Sequence, residues 1–171
     1  VERQALTLSV PPSFASKFLV PRLPAFSNAH PDLDVKIQAS ETLASFRADE
    51  VDLAVRQGAP PFGKDVIARR LCPLNLCALC SADYAAGHPE FHMDGTLASH
   101  RLIYDGHAHW DAFLQAVGVP EPSHNLRFNQ TALALDAAAN GQGVALAPAL
   151  LAGADLVSGR LQMLWQATVD G

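Results

Sequence analysis

Ser13 is the first residue whose type and position could do chemistry. It follows the five β-favouring residues Leu6–Val10 and the pair Pro11-Pro12, in the stretch LTLSVPPSFASKF. The pattern predicts a strand ending in a tight turn, with Ser13 opening the next helix. The first N–H groups of a helix have no internal partners, and the helix dipole places positive potential above them. A turn of this kind can therefore cradle a small ligand. Ser13 also reads simply as an N-cap, a role worth about 1 kcal/mol of helix stability. The two roles are compatible.

Cysteine and histidine are the other candidates. Cys72, Cys77 and Cys80 form an odd set, which suits a reducing, cytoplasmic setting better than a disulfide framework. Cys77-Ala-Leu-Cys80 has the spacing of a redox or zinc pair. However, PLNLCALCS alternates like a strand, where positions three apart face opposite ways. The two thiols read as small buried residues. Six of the seven histidines fall between His88 and His124, including His88/His92 and His107-x-His109. Pro89 interrupts the first pair, and no Cys or carboxylate pattern completes a ligand set, so surface histidines and no metal are expected. There is no nucleophile–base pair, no G-x-S-x-G and no phosphate loop. Neither catalysis nor a cofactor is expected.

Composition bounds the rest. The 171 residues are 49% hydrophobic and 17% charged, as in a globular chain of one domain or two small lobes. No apolar run approaches the roughly 20 residues that span a bilayer. The start, VERQALTLSV, shows no signal-peptide pattern. A net charge of −5 argues against this segment itself holding nucleic acid. Residues 1–72 carry nine Lys/Arg against eight Asp/Glu, and residues 73–171 three against nine. That split, net +1 against net −6, predicts two lobes, 1–72 and 73–171, meeting near Cys72-Pro73.

The elements that would position these residues follow in order. Phe14, Phe18, Leu19, Leu23 and Phe26 have helical spacing, with a kink expected at Pro21 and an end at His30-Pro31. Val35–Ser40 reads as a strand, Glu41–Glu50 as a short helix, and Val51–Arg56 as a third strand. This β-α-β-α-β order predicts a parallel sheet with right-handed connections. Val66–Ser81, joined at Pro73, reads as a long strand leaving one sheet and entering another. The second half predicts a helix over Asp94–His100 and a strand over Arg101–Tyr104. A helix over His109–Val117 and a strand over His124–Phe128 come next. A helix capped by Asn129-Gln130-Thr131 then runs to Asn140-Gly141. Gly143–Ala147 is a buried strand, Pro148–Val157 a helix and Arg160–Trp165 a last strand. No repeat at a fixed period is present, which argues against a solenoid.

The phrases LVPRLPAFSNAHPDLDVKIQAS, VDLAVRQG, LNLCALCSADY and AAANGQGVALAP together resemble the effector-binding domain of LysR-type transcriptional regulators. Pro21, Arg22, Leu23, Phe26, Pro31 and Asp32 are similar to the family's N-terminal segment, and Asp52–Arg56 with Gly58 to its third strand. Cys80-Ser81 and the helix bearing Trp110 are similar to the subgroup of glycine-cleavage and β-lactamase regulators. The resemblance spans essentially the whole chain. It implies an α/β fold of two Rossmann-like lobes of periplasmic-binding-protein type II, with hinge strands between them and a small-molecule effector held between the lobes. It also implies a homodimer or tetramer, DNA contact only through a winged helix that lies outside this sequence, and no membrane. The family's return segment to the first lobe is expected to be missing from these residues: either it lies beyond Gly171, or the first lobe lacks that strand and helix.

In open parallel sheets, ligands sit beyond the carboxyl ends of strands. That rule, with the family's use of the Ser/Thr opening the first helix, selects Ser13, Phe14, Ser40, Glu41 and Arg56 from the first lobe. From the second it selects Asp105, Gln130, Thr131 and Pro148. Thr131 or Asn129 would cap its helix in any case. Helix N-termini favour an anionic group such as a carboxylate. Arg56 could pair with that group bidentately, or be held by Asp52 or Asp49. Asp105 would instead read an amine or hydroxyl. The expected effector is a small carboxylated metabolite or cell-wall fragment. The competing reading is a solute-binding protein of a transport system with the same fold.

Overall fold

The computed structural model describes residues 4–43, 45–89 and 97–168. The chain divides into two units between Leu71 and Cys72.

In the first unit, β1 (Gln4–Val10) lies between β2 (Leu33–Ala39) and β3 (Leu53–Ala54), and both pairings are parallel. The alternation read from the sequence thus produces the parallel sheet it predicts. A helical run joins β1 to β2: α1 (Pro12–Phe14), a π-turn over Ala15–Leu19, a 3-10 turn over Val20–Arg22, and α2 (Leu23–Ala29). Pro21 and Pro24 lack the N–H that a continuous α-ladder needs, so the winding loosens ahead of Pro21 and tightens across it. The expected kink is a change of winding. The run stops at His30, whose N–H donates to Phe26 O at 3.0 Å, one residue before Pro31.

Three expectations in this unit are corrected. Ser13 does not cap the helix, because Pro11 holds the extended cap position (φ −60°, ψ 143°) and Ser13 lies inside the first turn. The described residues between Glu41 and Glu50 form turns, not a helix. Asp49 Oδ2 accepts from Ser45 N at 2.7 Å and Ser45 Oγ from Ala48 N at 3.3 Å, side-chain bonds that compete with helical ones. The third strand covers only Leu53–Ala54, since Asp52 and Val55 continue its contacts as single bonds to Thr7 O and Ser9 O.

The long strand expected from Val66 is also corrected. Residues 66–74 have no regular structure, and β4 begins at Asn75 and ends at Cys80. Ile67 and Leu71 are largely exposed, at 92% and 71%, and Pro73 cannot donate to a ladder, so nothing holds this segment in a sheet.

The second unit is a five-stranded sheet ordered β6-β5-β7-β4-β8. Its strands are β4, β5 (Leu102–Tyr104), β6 (Leu126–Arg127), β7 (Val144–Pro148) and β8 (Gln162–Thr168). Strand β5 runs parallel to β6 and β7, while β4 is antiparallel to β7 and β8. The helices are α3 (Ala82–Gly87), α4 (His109–Val117), α5 (Thr131–Ala139) and α6 (Ala149–Val157). Of the helix expected over Asp94–His100, Leu97–Ser99 is a 3-10 turn, and residues 94–96 lie outside the described residues. Leu76, Ala78 and Cys80 on one face of β4 pack with Leu102, Trp110, Leu114 and Leu146 in a buried core. Trp110 Nε1 is satisfied by Ile103 O at 3.0 Å. Cys77 lies on the other face, with Sγ 3.5 Å from Ala147 O.

Candidate functional site

The polar corner of the second unit forms where β5 ends and α5 begins. Phe128 N donates to Tyr104 O at 2.9 Å, which brings the two loops together. Gly106, at φ +90°, sits so close that a Cβ there would lie 3.5 Å from Asn129 Cα. Asp105, only 4% exposed, is fastened at both oxygens. Its Oδ1 accepts from His107 N at 3.0 Å, and its Oδ2 accepts from Thr131 Oγ1 at 2.7 Å and lies 3.1 Å from His107 Nδ1. Burial pushes the Asp105 carboxyl up. The bonds from His107 and Thr131 outweigh burial and hold it below its usual value of 3.8.

His107 stacks on His109, with ring centroids 5.1 Å apart and planes 11° from parallel. Burial lowers the His109 pKa; Asp105 opposes that shift and His107 adds to it. His109 Nε2 is buried with no hydrogen-bond partner among the described residues. Neither Asn129 nor Thr131 takes the cap position of α5. Gln130 does, with extended backbone and no side-chain cap bond, while Thr131 is the first helical residue and is bound to Asp105. Sequence reasoning selected Asp105, Gln130 and Thr131 separately and read His107 and His109 beside them as surface histidines, whereas His109 Nε2 is buried. The spacing Asp105-Gly106-His107 was the available signal, since an Asp side chain commonly bonds the backbone two residues on.

In the first unit the candidates form a second group. Arg56 Nη2 donates to Ser9 Oγ at 2.7 Å and to Thr42 O at 2.9 Å, and Nη1 donates to Val55 O at 2.8 Å. Burial lowers the guanidinium's pKa and Glu41 opposes that shift. The carboxylates considered for Arg56 are used elsewhere: Asp52 Oδ2 accepts from Thr7 N at 2.8 Å, and Asp49 from Ser45. Arg56 Nε is buried and has no partner among the described residues. Ser40 Oγ accepts from Thr42 N at 3.1 Å, so Ser40, Glu41 and Arg56 share one loop edge. Ser9, 1% exposed, anchors Arg56 from 47 residues away. No local pattern marks that contact. Ser13, four residues after Ser9, is also buried, and Phe14 stacks on Phe18 at 4.9 Å. Pro148 ends β7 opposite Leu76 and precedes α6, a buried structural position.

Burial pushes the Cys77 and Cys80 thiols up to about 11, so neither is a thiolate near neutral pH. Among the described residues, no three His, Cys, Asp or Glu side chains are placed to share a metal, and no helix is long and apolar enough to cross a membrane. His92, half of one considered pair, lies outside the described residues.

The LysR substrate binding domain family matches residues 1–169. The glycine cleavage system transcriptional activator of Escherichia coli K12 is 34% identical over 160 residues, covering 92% of this chain and 52% of the relative. The transcriptional activator AmpR of Pseudomonas aeruginosa is 30% identical over 161 residues, covering 91% and 53%. The chain thus spans about half the length of these curated relatives. Among solved structures, the AmpR effector binding domain from Citrobacter freundii superposes with a TM-score of 0.77 at 26% identity, covering 98% of this chain and 84% of that one. The regulatory domain of CrgA from Neisseria meningitidis shares the fold, with a TM-score of 0.71 at 21% identity over 95% and 81%. Family match, relatives and fold agree along nearly the whole chain, which belongs to the LysR substrate-binding domain family and has its α/β, periplasmic-binding-protein type II fold.

Proposed function

We propose that this domain is the sensing part of a transcription regulator and that it responds to a small carboxylated molecule. The observation that carries the reading is kinship: relatives that align over more than 90% of the chain are transcriptional activators by name, which favours regulation over solute transport and over catalysis. DNA contact belongs to a winged-helix segment outside these residues. The protein acts in the cytoplasm as a homodimer or tetramer.

The residues proposed to touch the effector are Ser13 and Arg56 in the first unit, and Gln130 and Thr131 in the second. Arg56 supplies a positive charge at the carboxyl edge of the three-stranded sheet, and its Nε is still unpartnered among the described residues. Asp105, tied to Thr131 and His107, has its charge compensated internally and repels an anion less than its type suggests. The effector changes the domain's state only through different affinity for two conformations.

A thermal-shift screen of small carboxylates on the domain, repeated with Ser13→Ala, tests the proposal. At least one compound is expected to raise the Tm of the unsubstituted domain, with a smaller rise in the variant. No stabilising compound, or hits indifferent to Ser13→Ala, overturns the site. Tight binding only to hydrophobic cations overturns the effector class.

A further inference from the structure

The second unit carries a concavity at the opposite edge of its sheet from Asp105 and Thr131. Strands β5 and β6 are parallel, so the residues just before them, Arg101 and the loop ending at His124, share the amino-terminal edge. Asp105 follows β5, a three-residue strand, which separates the two edges by about 10 Å. The cavity has a volume of about 200 Å³ and is walled by Ala98–Arg101 on one side and Pro122–His124 on the other.

Its chemistry is one-sided. A guanidinium, two imidazoles and the hydroxyls of Ser99 and Ser123 belong to the described residues lining it, and among those residues there is no carboxylate. This occurs in the half of the chain that is most acidic, where residues 73–171 hold only three Lys/Arg, all arginines. Arg127 is paired with Glu121, and Arg160 with Asp155 at 2.8 Å. Arg101 has no ion pair with any described residue. Glu121, the carboxylate of the adjoining loop, is spent on Arg127 and Asn125.

The walls are also fixed in place. Asn125 Nδ2 donates to Pro122 O at 2.7 Å while its Oδ1 accepts from Leu102 N at 3.3 Å, which pins the loop to the start of β5. Val144 N donates to Arg101 O at 2.9 Å, which pins the opposite wall. His100 is 5% exposed, with Nδ1 3.1 Å from the Tyr84 hydroxyl. Burial and the neighbouring His88 lower its pKa, and an entering anion would work against that shift.

We infer that this cavity is an anion-binding site that takes a phosphate group, with the Arg101 guanidinium as its main donor. A tetrahedral oxyanion accepts from several directions at once, which matches donors arriving from two walls, and arginine pairs with phosphate bidentately. Within the second unit, the site lies at the other edge of the sheet from Gln130 and Thr131.

Inorganic phosphate titrated into the domain by calorimetry, at ionic strength matched with chloride, tests the inference. Saturable binding is expected, about tenfold or more weaker in Arg101→Gln and weakened in His124→Gln. The Arg101 side chain is exposed, so the fold of the variant is expected to hold, as circular dichroism would verify. Arg101→Gln is also expected to leave the response to the carboxylate panel intact, which keeps failure of this site distinct from failure of the effector reading. Glycerol phosphate binding as tightly as inorganic phosphate would identify the group as a monoester; preference for the inorganic ion would identify the free anion. Binding that chloride abolishes, no binding, or equal binding by Arg101→Gln overturns the inference.

Discussion

The Thr131 hydroxyl donates to Asp105 Oδ2 at 2.7 Å, tying the first residue of α5 to the end of β5 inside the buried corner of the second unit. Hydrogen bonds to charged groups contribute more than neutral ones, and a buried carboxylate that loses a donor keeps its desolvation cost. Thr131→Val, nearly isosteric, is therefore expected to destabilise the domain by about 1.5–3 kcal/mol, read from urea denaturation. A change within about 0.5 kcal/mol would mean that water replaces the hydroxyl and that the tie is not structural.

The same corner sets part of the acid response. Folding holds the Asp105 pKa below its usual 3.8, so the folded state carries fewer protons than the unfolded chain over that interval. Its contribution is complete above 3.8 and is lost as pH falls through the depressed folded value. Asp105→Asn cannot titrate there. The variant is expected to be less stable near neutral pH, and its stability should fall less steeply below about pH 4 than that of the unsubstituted domain. Parallel acid limbs in the two proteins would refute the assignment.

Thiol chemistry should separate the three cysteines cleanly. Cys72 is exposed, whereas Cys77 and Cys80 are fully buried with pKa values pushed up to about 11. A thiol reagent near neutral pH is expected to label one cysteine in the folded domain and all three after denaturation. Labelling of Cys77 or Cys80 without unfolding would show that β4 opens locally.

Much of the frame was legible, because periodicity reports packing when the apolar face is buried. Helix α4 has the limits its sequence predicts, His109–Val117, since Trp110 and Leu114 do face the core and Gly118 closes it at φ +68°. The same reasoning failed at Glu41–Glu50. Leu43 and Phe46 have helical spacing but are 76% and 40% exposed, so no packed face supports a helix against local bonds from Ser45 and Asp49. The site divides the same way. Residues at strand ends could be picked out singly, yet the Arg56–Ser9 and Thr131–Asp105 bonds join positions 47 and 26 apart, which only the fold brings together.

Gly143 and Gly153 offer a signed test of the second unit's packing. Gly143 lies at φ +149°, and a Cβ there would fall 2.3 Å from the carbonyl oxygen of Arg101. That oxygen is backbone, held by Val144 N at 2.9 Å, and it cannot swing away without releasing β7 from the start of β5. Strain and steric overlap therefore act together in Gly143→Ala, with an expected loss of about 2 kcal/mol or more. Gly153 is within α6, and a Cβ there meets nothing within 4 Å. Gly153→Ala removes the entropic cost of a helical glycine without crowding a neighbour, and is expected to gain about 0.5–1 kcal/mol. Urea midpoints with unchanged m-values would measure both. If Gly143→Ala were neutral, the Arg101 carbonyl would have to be free to move. The wall that it gives the phosphate cavity would then be soft.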